Sequence, residues 1–99
     1  KEILNFKDMK LDMVSKRVFI GSSEMICTAM EYAILELMLS NPNKIFSKRN
    51  LFESITKDTY MSDENTMNVH MSNLRKKIAK ITEDSYIETV YAMGYRLVN

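Results

Sequence analysis

The 99-residue chain has little of several residue types that mark particular classes of protein. Its single cysteine, Cys27, rules out a disulfide within the chain, which fits a reducing compartment. Its single histidine, His70, has no second histidine or cysteine pair beside it in sequence to complete a metal site. No apolar run approaches the ~20 residues needed to cross a bilayer, and no signal peptide opens the sequence. The net charge is only +1, so any affinity for a polyanion must come from uneven placement of charge.

The remaining composition, 45% hydrophobic and 27% charged, is typical of one soluble globular domain. The sequence offers no nucleophile with a base and an orienting group, no phosphate-binding glycine loop and no metal cluster. We therefore predict a single domain over residues 1–99 that is not an enzyme and has no cofactor. We expect the nine methionines to fill the core adaptably and Cys27 to be a small buried hydrophobe.

Short apolar runs and one long helical pattern make up the first 40 residues. The runs "ILNF", "KLDMV", "RVFI" and "EMIC" are separated by polar turns, which indicates an antiparallel meander. Residues 28–40 predict a helix, because Thr28 and Glu31 have the spacing of a capping box. Asn41-Pro42 should end this helix, since proline disfavours a helical residue before it.

Two further helices and two strands are predicted in the second half. Ser47 is expected to cap a helix of about two turns. The stretch "NTMNVHMSNLRKKIAK", residues 65–80, has helical spacing, and residues 86–91 and 95–98 resemble strands joined by a turn at Gly94. At Gly94 a glycine would supply a positive φ without steric cost. Two short helices followed by a hairpin indicate a helix-turn-helix with a wing.

The stretch 65–80 divides into distinct faces when residues are placed at 100° steps around a helix. The predicted core stripe consists of Met67, Met71, Leu74, Ile78 and Ile81. The opposite, outward face consists of Asn65, Val69, Ser72, Asn73, Lys76 and Lys80. Between these two faces, one shoulder carries Thr66, His70 and Lys77, and the other carries Asn68 and Arg75.

The side chains outside the core stripe suit a duplex DNA ligand. Asparagine can pair with adenine in the major groove, and an exposed Val69 can contact a thymine methyl group. The stretch has four Lys or Arg side chains and no acidic one, and these cations would bind phosphates and fix position. A helix that enters the groove by its N-terminal end would place the short polar side chains on base edges and the cations on the flanking phosphates. The alternative is an ordinary solvated face whose C-terminal cations complement the helix dipole, and the face pattern alone leaves both open.

Three segments, in sequence order, resemble the C-terminal domain of OmpR/PhoB-type response regulators. They are "CTAMEYAILELMLSNPNKIFSKRNLF", "NTMNVHMSNLRKKI" and "IETVYAMGYRL". The resemblance implies an α+β winged helix-turn-helix with an N-terminal four-stranded antiparallel sheet, three helices and a C-terminal hairpin wing. It also implies sequence-specific binding of double-stranded DNA for transcriptional regulation in the bacterial cytoplasm, as the output domain of a two-component system.

The same resemblance implies a set of partners. The recognition helix, about 64–80, would lie in the major groove, and the wing, about 86–98, on the backbone or in the minor groove. Two copies of an otherwise monomeric domain would bind direct repeats head to tail, and the loop 56–64 would meet RNA polymerase. A receiver domain would lie upstream of Lys1 and be controlled by a sensor histidine kinase. The alternative is a protein-interaction module that docks on RNA polymerase or a receiver, although docking does not require the cationic run Arg75-Lys76-Lys77.

Individual positions carry over from the family with several departures. Lys48, Thr66, His70 and Arg75 match phosphate-binding positions, Val69 matches a position near base edges, and Thr89 and Tyr95 match wing positions on the backbone. Asn65, Asn68, Ser72 and Asn73 replace longer or charged side chains, Tyr91 replaces a wing arginine, and Ala92 replaces a glycine. Because this chain has fewer cations at these positions than its relatives, we expect its DNA affinity to depend less steeply on salt concentration. The predicted DNA-binding set is Lys48, Asn65, Thr66, Asn68, Val69, His70, Ser72, Asn73, Arg75, Lys76, Lys77, Thr89, Tyr91 and Tyr95.

Overall fold

The computed structural model describes residues 2–56 and 64–99, with the side chains of residues 64 and 65 left out. The chain begins with an antiparallel sheet of order β1-β2-β3-β4, which confirms the predicted meander. Its strands are β1 (Ile3–Phe6), β2 (Met9–Asp12), β3 (Arg17–Ile20) and β4 (Ser23–Met25). Strand β2 ends before the apolar run "KLDMV" does, because Asp12 Oδ1 accepts the amide hydrogens of Val14 and Ser15 and so forms a turn.

The first helix, α1 (Ala29–Ser40), begins at the predicted capping box. Thr28 Oγ1 accepts from the Glu31 amide at 3.1 Å, and a Glu31 carboxylate oxygen accepts from the Thr28 amide at 2.9 Å. The helix ends at Asn41, whose φ of −139° and ψ of 66° lie outside the helical region that Pro42 disfavours in the residue before it. The prediction for residues 28–40 is therefore confirmed at both ends.

Two more helices follow, α2 (Lys48–Thr56) and α3 (Glu64–Ile81). Ser47 precedes α2 and exchanges two hydrogen bonds with Asn50, its Oγ accepting from the Asn50 amide at 3.0 Å. The predicted cap at Ser47 is confirmed, with an asparagine in the place of the usual capping-box glutamate. Helix α2 buries Leu51 completely against the core.

The chain ends in the predicted hairpin of β5 (Ile87–Val90) and β6 (Gly94–Leu97). Tyr95 also pairs with Phe46 between α1 and α2, through two backbone hydrogen bonds of 2.8 Å. Gly94 has φ +134°, and a Cβ there would lie 2.1 Å from the Phe46 carbonyl oxygen. The positive φ predicted for Gly94 is confirmed, and Ala92, at φ 62°, is a second positive-φ residue of the turn that the sequence did not indicate. Gly94 is also needed for the close approach of the hairpin to Phe46.

One core lies between the four-stranded sheet, the helices and the hairpin. Most described methionines fill it, as predicted; the buried ones are Met9, Met25, Met38, Met67 and Met71. Cys27 is only half-buried, which corrects the prediction of a buried hydrophobe, and burial raises the pKa of its thiol to about 11. In residues 2–56 and 64–99 no helix is long and apolar enough to cross a membrane.

Candidate nucleic-acid interface

Helix α3 presents the faces that its sequence predicts. Met67, Met71, Leu74 and Ile78 are buried, while Ile81 at the end of the helix is half-buried. On the opposite face, the exposed side chains are Val69, Ser72, Asn73, Lys76 and Lys80. Val69 is 48% exposed, so an apolar side chain stands among polar ones on the solvent side. The side chain of Asn65 lies outside the described residues, and its role stays a prediction.

A cleft of about 590 Å³ lies between the N-terminus of α2, helix α3 and the wing. Lys48 and Arg49 line one side, Asn68 lines the helix side, and Thr89 and Met93 line the wing side. Three elements that are distant in sequence thus meet around one concave surface. The sequence-predicted residues Lys48, Asn68 and Thr89 are brought together here.

A chain of contacts joins α3 to the wing across the shoulder that carries Asn68 and Arg75. Arg75 Nη2 donates to Thr89 Oγ1 at 2.9 Å, and the guanidinium carbon lies 5.2 Å from the centre of the Tyr95 ring. The Tyr95 hydroxyl donates to Asn68 Oδ1 at 3.1 Å. We call Asn68, Arg75, Thr89 and Tyr95 the helix–wing network. It fixes the wing relative to α3.

The helix–wing network changes the expected role of Tyr95. Its side chain was predicted to contact the DNA backbone, but Tyr95 is only 6% exposed and lies beneath the Arg75 guanidinium. Arg75 itself is half-buried, with one nitrogen engaged by Thr89 and with Nε buried without a partner. The side chain of Tyr95 therefore supports the surface from within the protein, and Arg75 belongs to the helix–wing network. Contact of either residue with DNA stays a prediction.

The other shoulder of α3 is tied to the start of α1. Lys77 Nζ donates to a Glu31 carboxylate oxygen at 2.6 Å, and the Glu31 side chain is only 2% exposed. Burial by itself raises the pKa of Glu31, but the Lys77 ammonium and the Thr28 amide outweigh it and hold that pKa below its ordinary value. The face pattern grouped Lys77 with Thr66 and His70 as DNA contacts. The structure gives Lys77 an internal partner, and Thr66 and His70 are half-buried on the same shoulder. The DNA contacts of all three residues stay predictions.

The tip of the wing is apolar and uncharged. Tyr91 is 93% exposed and Met93 is 57% exposed. A hydrogen bond of 2.9 Å from the Met93 amide to the Val90 carbonyl closes the turn between them. The nearest wing cation, Arg96, lies at the base of the hairpin, where it forms an ion pair of 2.8 Å with Glu88. The tip can therefore make apolar contacts and, through the Tyr91 hydroxyl, hydrogen bonds, but it carries no positive charge.

Three lysines supply the unpaired positive charge near this surface. Within the described parts of the chain, Lys48, Lys76 and Lys80 have no ion-pair partner. Lys76 and Lys80 lie on the outward face of α3, and Lys48 lies at the start of α2 across the cleft. The predicted polymerase contact at 56–64 lies largely outside the described residues, which omit 57–63.

The four-stranded sheet, three helices and C-terminal hairpin define a winged helix-turn-helix domain. Residues 22–97 match the family described as "Transcriptional regulatory protein, C terminal", and the chain belongs to that family, the C-terminal domains of OmpR/PhoB-type response regulators. This confirms the resemblance that the three sequence segments indicated.

Relatives and solved structures agree with this assignment. The Bacillus subtilis uncharacterised transcriptional regulatory protein YcbL is 31% identical over 97% of this chain, which spans only 43% of its length. The DNA-binding domain of the response regulator AdeR, solved with an intercistronic region, has a TM-score of 0.85 and 29% identity. That match covers 96% of this chain and 97% of AdeR's. The C-terminal domain of the nisin resistance regulator NsrR has a TM-score of 0.79 and 36% identity, over 95% and 94% of the two chains.

Sequence reasoning did not identify the partners of the residues that hold the surface in place. Lys77 and Glu31 are 46 positions apart, and Arg75 and Thr89 are 14 apart, so helix periodicity carries no information on either pair. The one available signal was the position of Lys77 beside, rather than on, the outward face.

Proposed function

We propose that this domain binds double-stranded DNA sequence-specifically to regulate transcription, as the output domain of a bacterial cytoplasmic response regulator. One observation carries the proposal. Exposed uncharged groups and unpaired lysines lie along one side of α3, and the wing is locked beside them by the helix–wing network. An ordinary solvated helix would not need a rigid hairpin held at its side.

The roles of the side chains follow from their exposure and chemistry. Val69, Ser72 and Asn73, together with Asn65, contact base edges in the major groove. Lys48, Thr66, His70, Arg75 and Lys76 contact phosphates, and Thr89 and Tyr91 contact the backbone or minor groove from the wing. Lys77 and Tyr95 act from behind this surface, since each is engaged by an internal partner.

The comparisons support the proposal at the level of the domain. AdeR's domain, which aligns over nearly its whole length, was solved with an intercistronic region. The part of YcbL that this chain does not span has room for a receiver domain. We propose such a receiver upstream of Lys1, a sensor histidine kinase that controls it, and head-to-tail binding of two copies to direct repeats. Contact with RNA polymerase through the loop 56–64 belongs to the same proposal.

A protein-docking module is the second candidate, and the apolar wing tip of Tyr91 and Met93 favours it. Exposed aromatic and methionine side chains are enriched at protein interfaces. The unpaired lysines on α3 count against it, because lysine is depleted at such interfaces. A docking site centred on the wing would also leave the exposed polar groups of α3 without a role.

Selection from a random duplex library tests the proposed function. We expect one motif to be enriched, with bases contacted by the N-terminal half of α3 specified most strongly. Failure of the folded domain to enrich any sequence would contradict the proposal and favour protein docking. Circular dichroism of the same preparation shows whether the domain is folded.

A further inference from the structure

Among the described residues, only the oxygen end of the Asn68 amide group has a hydrogen-bond partner. Its Oδ1 accepts from the Tyr95 hydroxyl at 3.1 Å. Tyr95 is held on several sides, because it is buried, pairs with Phe46 through two backbone hydrogen bonds and lies under the Arg75 guanidinium. The acceptor atom of Asn68 is thus fixed by a residue that is itself immobilised.

The other end of the amide faces away from Tyr95. Among the residues that the structure describes, none accepts a hydrogen bond from Asn68 Nδ2. Asn68 is half-buried and lines two clefts, one shared with Lys48 and Thr89 and the other with Ser72 and Lys76. The free NH2 group is therefore a donor of fixed direction beside the cations of the proposed DNA surface.

We infer that Asn68 is a specificity-determining residue that donates a hydrogen bond to a base edge and so disfavours cytosine, the one base whose major-groove edge presents no acceptor, at one position. In the major groove guanine presents the acceptors N7 and O6, whereas cytosine presents the N4 amino donor. A donor whose own acceptor is occupied by Tyr95 matches the first edge and leaves the second unpaired. The inference rests on the proposed DNA binding and names the base chemistry that this side chain reads.

The aspartate that is common at this family position sharpens the test. A carboxylate has the shape of the amide and only accepts hydrogen bonds, so it keeps the bond from Tyr95 and turns the outward donor into an acceptor. Asn68→Asp thus reverses the hydrogen-bonding polarity of one atom with little change in volume. Tyr95→Phe does the converse, since it leaves the amide intact and removes the group that orients it.

The experiment is duplex selection by the wild-type domain and by Asn68→Asp, Asn68→Ala and Tyr95→Phe. Wild type should exclude cytosine at one position, and a site with cytosine there should bind roughly tenfold more weakly. Asn68→Asp should prefer cytosine or adenine there, since these bases present an amino donor, and Asn68→Ala should specify no base there, while all other positions keep their preference.

Tyr95 is a positioning residue in this account, and its variant has its own readout. Tyr95→Phe should weaken the preference at the Asn68 position alone and leave the salt dependence of binding unchanged. A general loss of affinity across all sequences would instead indicate that Tyr95 only stabilises the fold.

The outcomes separate the inference from the proposed function. A wild-type motif that is the same in Asn68→Asp and Asn68→Ala would overturn the donor role while DNA binding stands. A folded wild-type domain that enriches no motif would overturn both. If Asn68→Asp does not fold, Asn68→Ala still decides, because loss of preference at a single position is expected only if Asn68 reads a base.

Discussion

At the scale of single residues, backbone conformation at the wing depends on two small side chains. Gly94 meets the Phe46 carbonyl so closely that even a methyl group cannot be accommodated, and Ala92 holds a left-handed φ of 62° that glycine adopts more readily. The sequence predicted the positive φ of Gly94, but it could not show that Ala92 would adopt one too or that Gly94 has no room for a side chain. That depends on the bridge between Phe46 and Tyr95, which joins segments 49 positions apart in the chain.

A matched pair of substitutions tests this reading of the turn. Gly94→Ala should lower the free energy of unfolding by about 3 kcal/mol or more, because the new Cβ forces the hairpin away from Phe46. Ala92→Gly should raise it by about 0.5–1 kcal/mol, since relief of the left-handed strain outweighs the added chain entropy. Urea denaturation measures both, and equal effects at the two positions would contradict the assignment.

At the scale of elements, the recognition helix is fixed from two sides by contacts that the sequence could not reveal. The predicted core stripe and outward face of α3 are both confirmed, because helical periodicity determines them. The partners of its shoulders depend on how α1 and the wing pack against it. For this reason the sequence could not show that Glu31 engages Lys77 and that Asn68 engages Tyr95.

Lys76 and Lys77 are adjacent on α3, but we expect Lys77 to stabilise the fold and Lys76 to bind DNA. Lys77→Met should cost about 2–4 kcal/mol of stability, because it leaves the buried Glu31 carboxylate without its ion-pair partner. Lys76→Met, one residue earlier and exposed, should change stability by less than about 0.5 kcal/mol. On DNA only the Lys76 variant should reduce the salt slope, by about 1.

Thermal denaturation and anisotropy titrations of both variants distinguish the two roles. Loss of salt dependence in the Lys77 variant, without loss of stability, would show that the ammonium binds phosphate rather than Glu31.

The Glu31–Lys77 contact also predicts a dependence of stability on pH. The folded-state pKa of Glu31 is lowered, so its ionisation stabilises the fold above the ordinary carboxyl pKa of 4.5. That stabilisation is lost as the pH falls through the lowered folded-state value. Glu31→Gln should flatten the acid limb of a plot of unfolding free energy against pH. If the acid limb of Glu31→Gln is the same as that of wild type, the loss of stability at low pH arises from other carboxyl groups.

The apolar wing tip predicts a contact with DNA that does not depend on salt. Tyr91→Ala should weaken duplex binding several-fold with no change in the slope against salt, because no charge is removed. Tyr91→Arg should steepen that slope by about 1, as a new phosphate contact would. Equal affinity of wild type and Tyr91→Ala at every salt concentration would show that the tip does not touch DNA.

At the scale of the whole molecule, a nearly neutral domain places around one surface three lysines that have no ion-pair partner among the described residues: Lys48, Lys76 and Lys80. The net charge of +1 hides this, because several cations elsewhere are paired, such as Arg17 with Glu24 and Arg96 with Glu88. The order of helices and hairpin could be predicted from the sequence, since motif order and turn chemistry determine it. The concave surface between α2, α3 and the wing could not, because it arises only when the hairpin pairs with Phe46.

The most direct test of the central claim is a fluorescence-anisotropy titration of a random-sequence duplex at several salt concentrations. With Lys48, Arg75 and Lys76 on phosphates, log Kd should depend linearly on log salt with a slope of magnitude about 2 to 3 per bound copy. Lys76→Ala should lower that magnitude, whereas Lys10→Ala, an exposed lysine on the N-terminal sheet, should not. No binding by the folded domain at the lowest salt concentration would contradict the claim that this surface binds DNA.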